Sequence, residues 1–180
     1  MDVFELLTVR SAPPAASAWD RFEALYRSSR DDVYAYVATL LGDRAAAEDV
    51  TALAFERAFR RRRTFDRRRG EERAWLFGIA RNAALDELRR RRRTVSLAAE
   101  PDQDAGEESG DGVEITLRRT AVRVALTQLS AREREIVALK FHAGLSHAEL
   151  AQVLGVTESN AGTQLHRTLQ KLRKAVNENA

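Results

Sequence analysis

Hydrophobic positions recur along this chain at three- and four-residue steps, and that spacing predicts helices. In FEALYRSSRDDVYAYVATLLG the apolar set is Phe22, Leu25, Tyr26, Val33, Tyr36, Val37, Leu40 and Leu41, closed by Gly42 where a C-cap glycine belongs. RAAAEDVTALAFERAFRRRR carries Val50, Leu53, Ala54, Ala58 and Phe59 on one stripe. TFDRRRGEE reads as a loop, and WLFGIARNAALDELRRRRR as the helix after it. No segment alternates with period two for long enough to make a strand. Residues 19–93 are therefore expected to form a helical bundle, preceded by a Pro- and Ala-rich tail over 1–18.

The pattern lapses over 94–117, where SLAAEPDQDAGEESGDGVE is acidic and nearly free of large apolar residues. Such a stretch buries too little surface to offset its ordering entropy, which predicts a flexible linker. Helical spacing returns over 118–180. Ser130 with Glu133 and Ser146 with Glu149 each fit the capping box, and Gly144 and Gly155 stand where helices should end. LSHAELAQVLGVTESNAGTQLHRTL then reads as helix, short turn, helix: a helix-turn-helix. Leu150, Ala151, Val153 and Leu154 of its first helix should face inward, with Ala161, Leu165 and Leu172 of the second. The second helix's other side carries Asn160, Thr163, Gln164, His166, Arg167, Gln170 and Lys171, which can serve base edges and phosphates. The expected fold is all-α, two small helical domains on an acidic tether.

Charge sharpens this picture. The net of +3 hides a strong segregation. Residues 1–93 hold 20 arginines against 15 acids, 94–117 hold 7 acids and no Lys or Arg, and 118–180 hold 10 basic residues against 5 acids. Two basic blocks attract a polyanion, because neutralising phosphates releases condensed counterions. The preference for Arg over Lys suits forked phosphate contacts, and equally suits a GC-rich genome. With no cysteine, disulfides, thiolate zinc sites and CxxC redox chemistry are excluded. No apolar run has transmembrane length and the N-terminus lacks a signal peptide's positive start, so a cytoplasmic protein without membrane contact is expected. The three histidines are poorly spaced for a metal, and no phosphate loop, paired carboxylates or nucleophile elbow occurs. Neither enzyme activity, cofactor nor small-molecule substrate is expected.

The helix in WLFGIARNAALDELRRRRR ends in five like charges. Asn82, Asp86, Arg89 or Arg90, and Arg93 share one side of it. Asn82 is either plain surface polarity or a donor and acceptor for an exposed Watson–Crick edge. Asp86 is either the i,i+4 partner of Arg90 or a reader of exocyclic amines.

AAAEDVTALAFERAF, RAWLFGIARNAALDELRR and LSAREREIVALKFHAGLSHAELAQVLGVTESNAGTQLHRTLQKLR resemble, in order and spacing, regions 2 and 4 of the extracytoplasmic-function (ECF) sigma factors of bacterial RNA polymerase. The resemblance covers about 20–93 and 118–176. It implies a transcription initiation factor that binds core polymerase and supplies promoter recognition. Region 2 would capture the −10 element as it melts, flipping a base into a pocket at a cost of a few kcal/mol. The family's base-capturing Asn aligns with Asn82, with Asp86, Arg89, Arg90, Arg93 and Phe65 as its −10 neighbours. Region 4 would lay Asn160, Gly162, Thr163, Gln164, His166, Arg167 and Lys171 against the −35 element. Asp49, Ala52, Leu53 and Glu56 would meet the clamp coiled coil of the largest polymerase subunit, and region 4 its flap region. An anti-sigma factor is a further possible partner. Since Ala180 follows closely on the recognition helix, control is expected from a partner, from expression or from the tail.

Two departures from the family pattern bear on specificity. Members commonly carry Gln and Glu where this chain has Ala52 and Leu53. The usual recognition string Gly-Thr-Val-Lys-Ser-Arg is here Ser159, Asn160, Ala161, Gly162, Thr163 and Gln164, so two basic positions have become Gly162 and Gln164. Gln favours adenine where Arg favours guanine, which predicts a shifted −35 preference. Arg167 and Lys171 are expected to clamp phosphate. A DNA-binding regulator is the alternative, since the 129–160 stretch also resembles regulator output domains, but residues 19–93 lack the βα alternation of a receiver.

Overall fold

The computed structural model describes residues 18–66, 68, 70–95 and 113–178. Among the described residues the chain is all-α, with seven helices and no strand: α1 Ala18–Leu41, α2 Arg44–Arg61, α3 Glu72–Val95, α4 Val113–Thr127, α5 Ala131–Phe141, α6 His147–Leu154 and α7 Glu158–Glu178. The expected tail and most of the expected acidic linker lie outside the described residues. Where the 94–117 segment is described it is helical, because α3 runs on to Val95 and α4 already begins at Val113.

Helices α1, α2 and α3 pack on one another as an N-terminal module. Its core sets Val33, Tyr36, Val37, Leu76 and Phe77 among Ala47, Ala54, Ala58 and Ala80, all buried. The alanines let the helix backbones approach, and the Tyr36 and Phe77 rings fill the centre edge to face at 5.5 Å. A cap that the periodicity did not reveal starts α2: Asp43 accepts the Ala46 N–H at 3.1 Å.

The C-terminal module, α4–α7, starts two helices with the capping boxes the sequence signals. In each, the Glu side chain accepts the serine N–H at 2.7 Å and the serine hydroxyl accepts the glutamate N–H at 3.3 Å. Gly155 closes α6 in the left-handed region at φ 66°, and the Val156 N–H then bonds Ala151 O at 3.0 Å. That turn sets α7 across α6, with Leu150, Ala151, Leu154, Ala161 and Leu165 buried between them. The expected inward set holds, with Val153 and Leu172 only half-buried.

The two modules do not stand apart. Helix α1 packs on α5 and α3 on α6, and one apolar core continues from Leu76 and Phe77 to Leu139, Leu145 and Leu150.

Candidate nucleic-acid interface

Helix α3 presents its exposed Asn82 at a cleft of about 300 Å³, walled by Trp75, Gly78 and Ile79 on the same helix and by Gln152 and Val153 of α6. Phe65 lies against Trp75 with ring centroids 5.2 Å apart, which puts it one ring away from that cleft. Phe77 and Ile79 are buried in the core. Trp75 is half-buried, so its ring divides between core and cleft.

Below Asn82 the charges are organised differently from the sequence expectation. Asp86 is not the partner of Arg90. It accepts from Arg57 of α2 at 3.4 Å and from Arg89 at 3.2 Å. Arg90 instead pairs with Glu87, in a forked bond of 2.7 and 2.8 Å. Glu87 also accepts from Arg91 at 2.8 Å. Two guanidiniums, Arg90 first and Arg91 second, hold the Glu87 carboxyl down at about 2. Arg91 reaches on to Asp43 at 2.7 Å. So three of the five terminal arginines have acidic partners within the protein, and the run repels itself less than its sequence suggests. Arg92 and Arg93 remain exposed at its end.

Helix α7 turns Asn160, Thr163, His166, Arg167 and Lys171 to solvent, with Gln164 half-buried. Several are already engaged. Gln164 donates to Asn160 Oδ1 at 2.7 Å, and His166 lies 2.9 Å from Gln170. Lys171 donates to Glu133 at 2.9 Å and, with the Ser130 cap, lowers that carboxyl. Its charge is therefore partly compensated, which leaves Arg167 the freer of the two cations. Gly162 sits against α6, where an added Cβ would come no closer than 3.7 Å to the His147 ring. No steric demand within the protein requires glycine there.

On the opposite flank, α1 and α2 leave a groove of about 690 Å³ lined by Tyr26, Tyr34, Glu48, Thr51, Ala52 and Phe55. The Thr51 hydroxyl is buried there without a hydrogen-bond partner. Asp49, Ala52, Leu53 and Glu56 are all exposed along α2, Glu56 paired with Arg60 at 2.5 Å. Leu53, 36% exposed, and Tyr26, 39% exposed, add apolar surface to this charged flank.

Sequence reasoning overlooked Arg73, Arg81 and Glu135. Arg81 forks onto Glu135 of α5 at 2.6 and 3.4 Å, with both side chains largely out of solvent. Arg73 bonds Asp32 and Ser29 of α1 and the backbone oxygens of His142 and Ala143. Glu135 interrupts an otherwise apolar helix face, and that was the one available signal.

A helix-turn-helix with an exposed polar recognition face, joined to a second helical module with a basic helix end, defines a two-module helical DNA-binding factor. Families described as Sigma-70 region 2 and Sigma-70, region 4 match residues 25–94 and 119–172. The ECF RNA polymerase sigma factor SigL of Mycobacterium tuberculosis is 33% identical over 171 residues, 94% of this chain and 96% of that protein. BldN of Streptomyces coelicolor, also an ECF RNA polymerase sigma factor, is 34% identical over 164 residues, 89% of this chain; the match spans 62% of BldN. The chain belongs to the ECF sigma factors. Its fold is similar to RpoE of Bartonella quintana, solved with the anti-sigma factor NepR, at a TM-score of 0.74 and 21% identity over 87% of this chain and 97% of that one. CnrH, solved with the cytosolic domain of CnrY, gives 0.62 at 21% identity, covering 88% and 89%.

Proposed function

We propose that this chain carries core RNA polymerase to a particular set of promoters, acting as a stoichiometric initiation factor in the cytoplasm rather than as a catalyst. Residues 19–93 bind polymerase and the −10 element, and 118–180 bind the −35 element. In the first module Asn82 takes the edge of a base drawn out of the stack, with Phe65, Asp86 and Arg89 beside the emerging strand and Arg92 and Arg93 on its phosphates. In the second, α7 enters the major groove, Asn160, Thr163 and Gln164 reading base edges while Arg167 fixes register on the backbone. The α2 flank of Asp49, Ala52, Leu53 and Glu56 meets the polymerase clamp. An apolar Leu53 there shifts that contact from polar pairing toward burial. An anti-sigma partner would have to cover these same faces.

The observation that carries the reading is the exposed Asn82 at the mouth of a cleft that Trp75 helps to line, on a helix that ends in exposed arginines. The test is Asn82→Ala with core polymerase and promoter DNA. Polymerase binding should persist and open-complex formation should fail. Unchanged opening would remove Asn82 from the pocket.

A further inference from the structure

Helices α5 and α6 begin with the same capping box, but their glutamates differ in one respect. Glu149 accepts the Ser146 N–H at 2.7 Å and, among the described residues, makes no ion pair. Glu133 accepts the Ser130 N–H at 2.7 Å and, on the same oxygen, the Lys171 ammonium of α7 at 2.9 Å. A capping box forms without a lysine at α6, so the lysine at α5 serves some other end.

Lys171 shares the face of α7 assigned to DNA. Asn160, Gln164, Arg167 and Lys171 follow one another at three- and four-residue steps, which puts them on one side of the helix. A lysine in that row is placed to meet phosphate, and a phosphate contact raises affinity for every sequence alike. Glu133 opposes this in two ways. It already gives the ammonium an anionic partner, and a phosphate drawn to Lys171 would meet a carboxylate oxygen 2.9 Å from that ammonium. Exposed ion pairs ordinarily stabilise little, because two long side chains must be ordered to form one. Here the cap has already ordered Glu133, whose side chain is 28% exposed against 47% for Lys171, so only the lysine remains to be fixed. Lys171 and the Ser130 cap both favour the ionised carboxylate, Lys171 most, and lower its pKa, so the negative charge persists at neutral pH. Arg167, four residues earlier, is exposed and makes no ion pair among the described residues.

We propose that Glu133 is a positioning residue for DNA recognition: it withholds Lys171 from the phosphate backbone and so holds down the sequence-blind part of the grip of α7 on duplex DNA. This role rests on α7 being the duplex-binding helix. Lys171 is then not the phosphate clamp its spacing suggests. Asn160, Thr163 and Gln164 meet base edges with Arg167 alone of the two cations on the backbone, and a smaller share of the affinity is indifferent to sequence.

Glu133→Gln tests this without removing the cap, since glutamine completes a capping box as glutamate does. Melting curves check that each variant keeps its fold. The full chain is titrated against a short fluorescein-labelled duplex of random sequence across a salt series. Glu133→Gln should tighten binding, by up to roughly eightfold at ~0.1 M salt, and steepen the log–log salt slope by up to about 0.9, the increment for one more phosphate neutralised. Lys171→Gln alone should change affinity and slope little, and added to Glu133→Gln it should cancel the gain. If Lys171→Gln alone lowers the slope by about 0.9, the lysine is already on phosphate and the withholding role is overturned, with no change made at Glu133. A gain from Glu133→Gln that survives in the double variant would overturn it as well, because the carboxylate would then act by plain repulsion of DNA. So would the absence of any gain. Arg167→Gln separates these failures from failure of the reading beneath them: it should lower the slope by about 0.9 whatever Glu133 does. If Arg167→Gln leaves the slope unmoved, α7 is not the duplex-binding helix and the role of Glu133 falls with it.

Discussion

Arg91 near the end of α3 reaches back 2.7 Å to Asp43 Oδ2, while the other oxygen of that carboxylate accepts the Ala46 N–H and caps α2. One side chain thus starts one helix and anchors another. Both bonds favour the charged form, the backbone cap most, and lower the Asp43 pKa. The two roles separate by substitution. Asp43→Asn keeps an acceptor for the cap and loses the ionic tie; Asp43→Ala loses both. Calorimetry should show Asp43→Ala lowering the melting temperature by ~2–4 °C, the usual scale for a lost cap in a domain of this size, with Asp43→Asn lowering it less. Equal effects would mean that the cap contributes nothing.

The arginine run divides along the same line. Arg90 and Arg91 have acidic partners, whereas Arg92 and Arg93 are exposed beyond them. Replacing Arg92 and Arg93 by Gln should leave the melting temperature unchanged. It should reduce the salt dependence of single-strand binding by up to ~1.4 in log–log slope, at about 0.7 for each phosphate no longer neutralised. Replacing Arg91 by Gln should do the reverse, lowering stability and touching the slope little. Titrations across a salt series, with calorimetry on the same samples, separate the two.

Glu87 supplies a pH signature. Its carboxyl titrates at about 2 in the folded chain against 4.5 in the unfolded one, because the Arg90 and Arg91 guanidiniums bond the ionised form. Between those values the unfolded state binds the proton more readily, so acid favours unfolding. The stabilisation is fully present above about 4.5 and is lost as pH falls through about 2. Glu87→Gln should therefore be less stable than wild type at neutral pH, and the gap between the two proteins should close across that window. A gap that does not change with pH would show that Glu87 acts through packing alone.

What the sequence revealed, and what it hid, follows the range of each interaction. Helices, capping boxes and the turn at Gly155 depend on residues a few positions apart, and periodicity exposes them directly. Asp43 was equally local but sat behind Gly42 without a Glu three residues on to complete a box. Asp86 and Glu87 were harder. Which neighbour takes Arg90 depends on how α3 is rotated against α2, and Arg57 holds Asp86 on the other side. Arg81 and Glu135 lie 54 residues apart on different modules, so no window of sequence joins them. The site is similar: the faces of α3 and α7 were readable from their spacing, but not the fact that α6 stands beside Asn82.

Gly162 interrupts a long helix without a steric reason, since a methyl group there would meet the His147 ring at an ordinary 3.7 Å. Glycine in a helix interior costs about 1 kcal/mol relative to alanine. Gly162→Ala should thus raise the melting temperature by ~2–4 °C. If the helix backbone comes close to DNA at this position, the same change should weaken −35 duplex binding. Calorimetry and duplex titration on one protein preparation read both effects, and a stabilised variant with undiminished duplex affinity would rule out the close approach.

On the proposed function, Gln164 sets the base preference of α7. Its amide already donates to Asn160 Oδ1 at 2.7 Å, on the exposed side of the helix. A bidentate contact to adenine uses the Gln oxygen as acceptor from N6 and its nitrogen as donor to N7. The Gln amide nitrogen carries two N–H donors, so one can stay on Asn160 while the other serves N7, and Asn160 thereby steers the side chain without completing the readout. Selection from duplexes randomised across the −35 element, with polymerase present, should return adenine at one fixed position for the wild type. Gln164→Arg should convert that position to guanine and leave its neighbours unchanged. A discrimination of ~1–3 kcal/mol per good bidentate pair makes the change roughly five- to 150-fold in relative affinity. Asn160→Ala should keep the adenine preference, because it frees the Gln amide rather than removing it. If Gln164→Arg leaves the selected base unaltered, α7 reads its target from other positions.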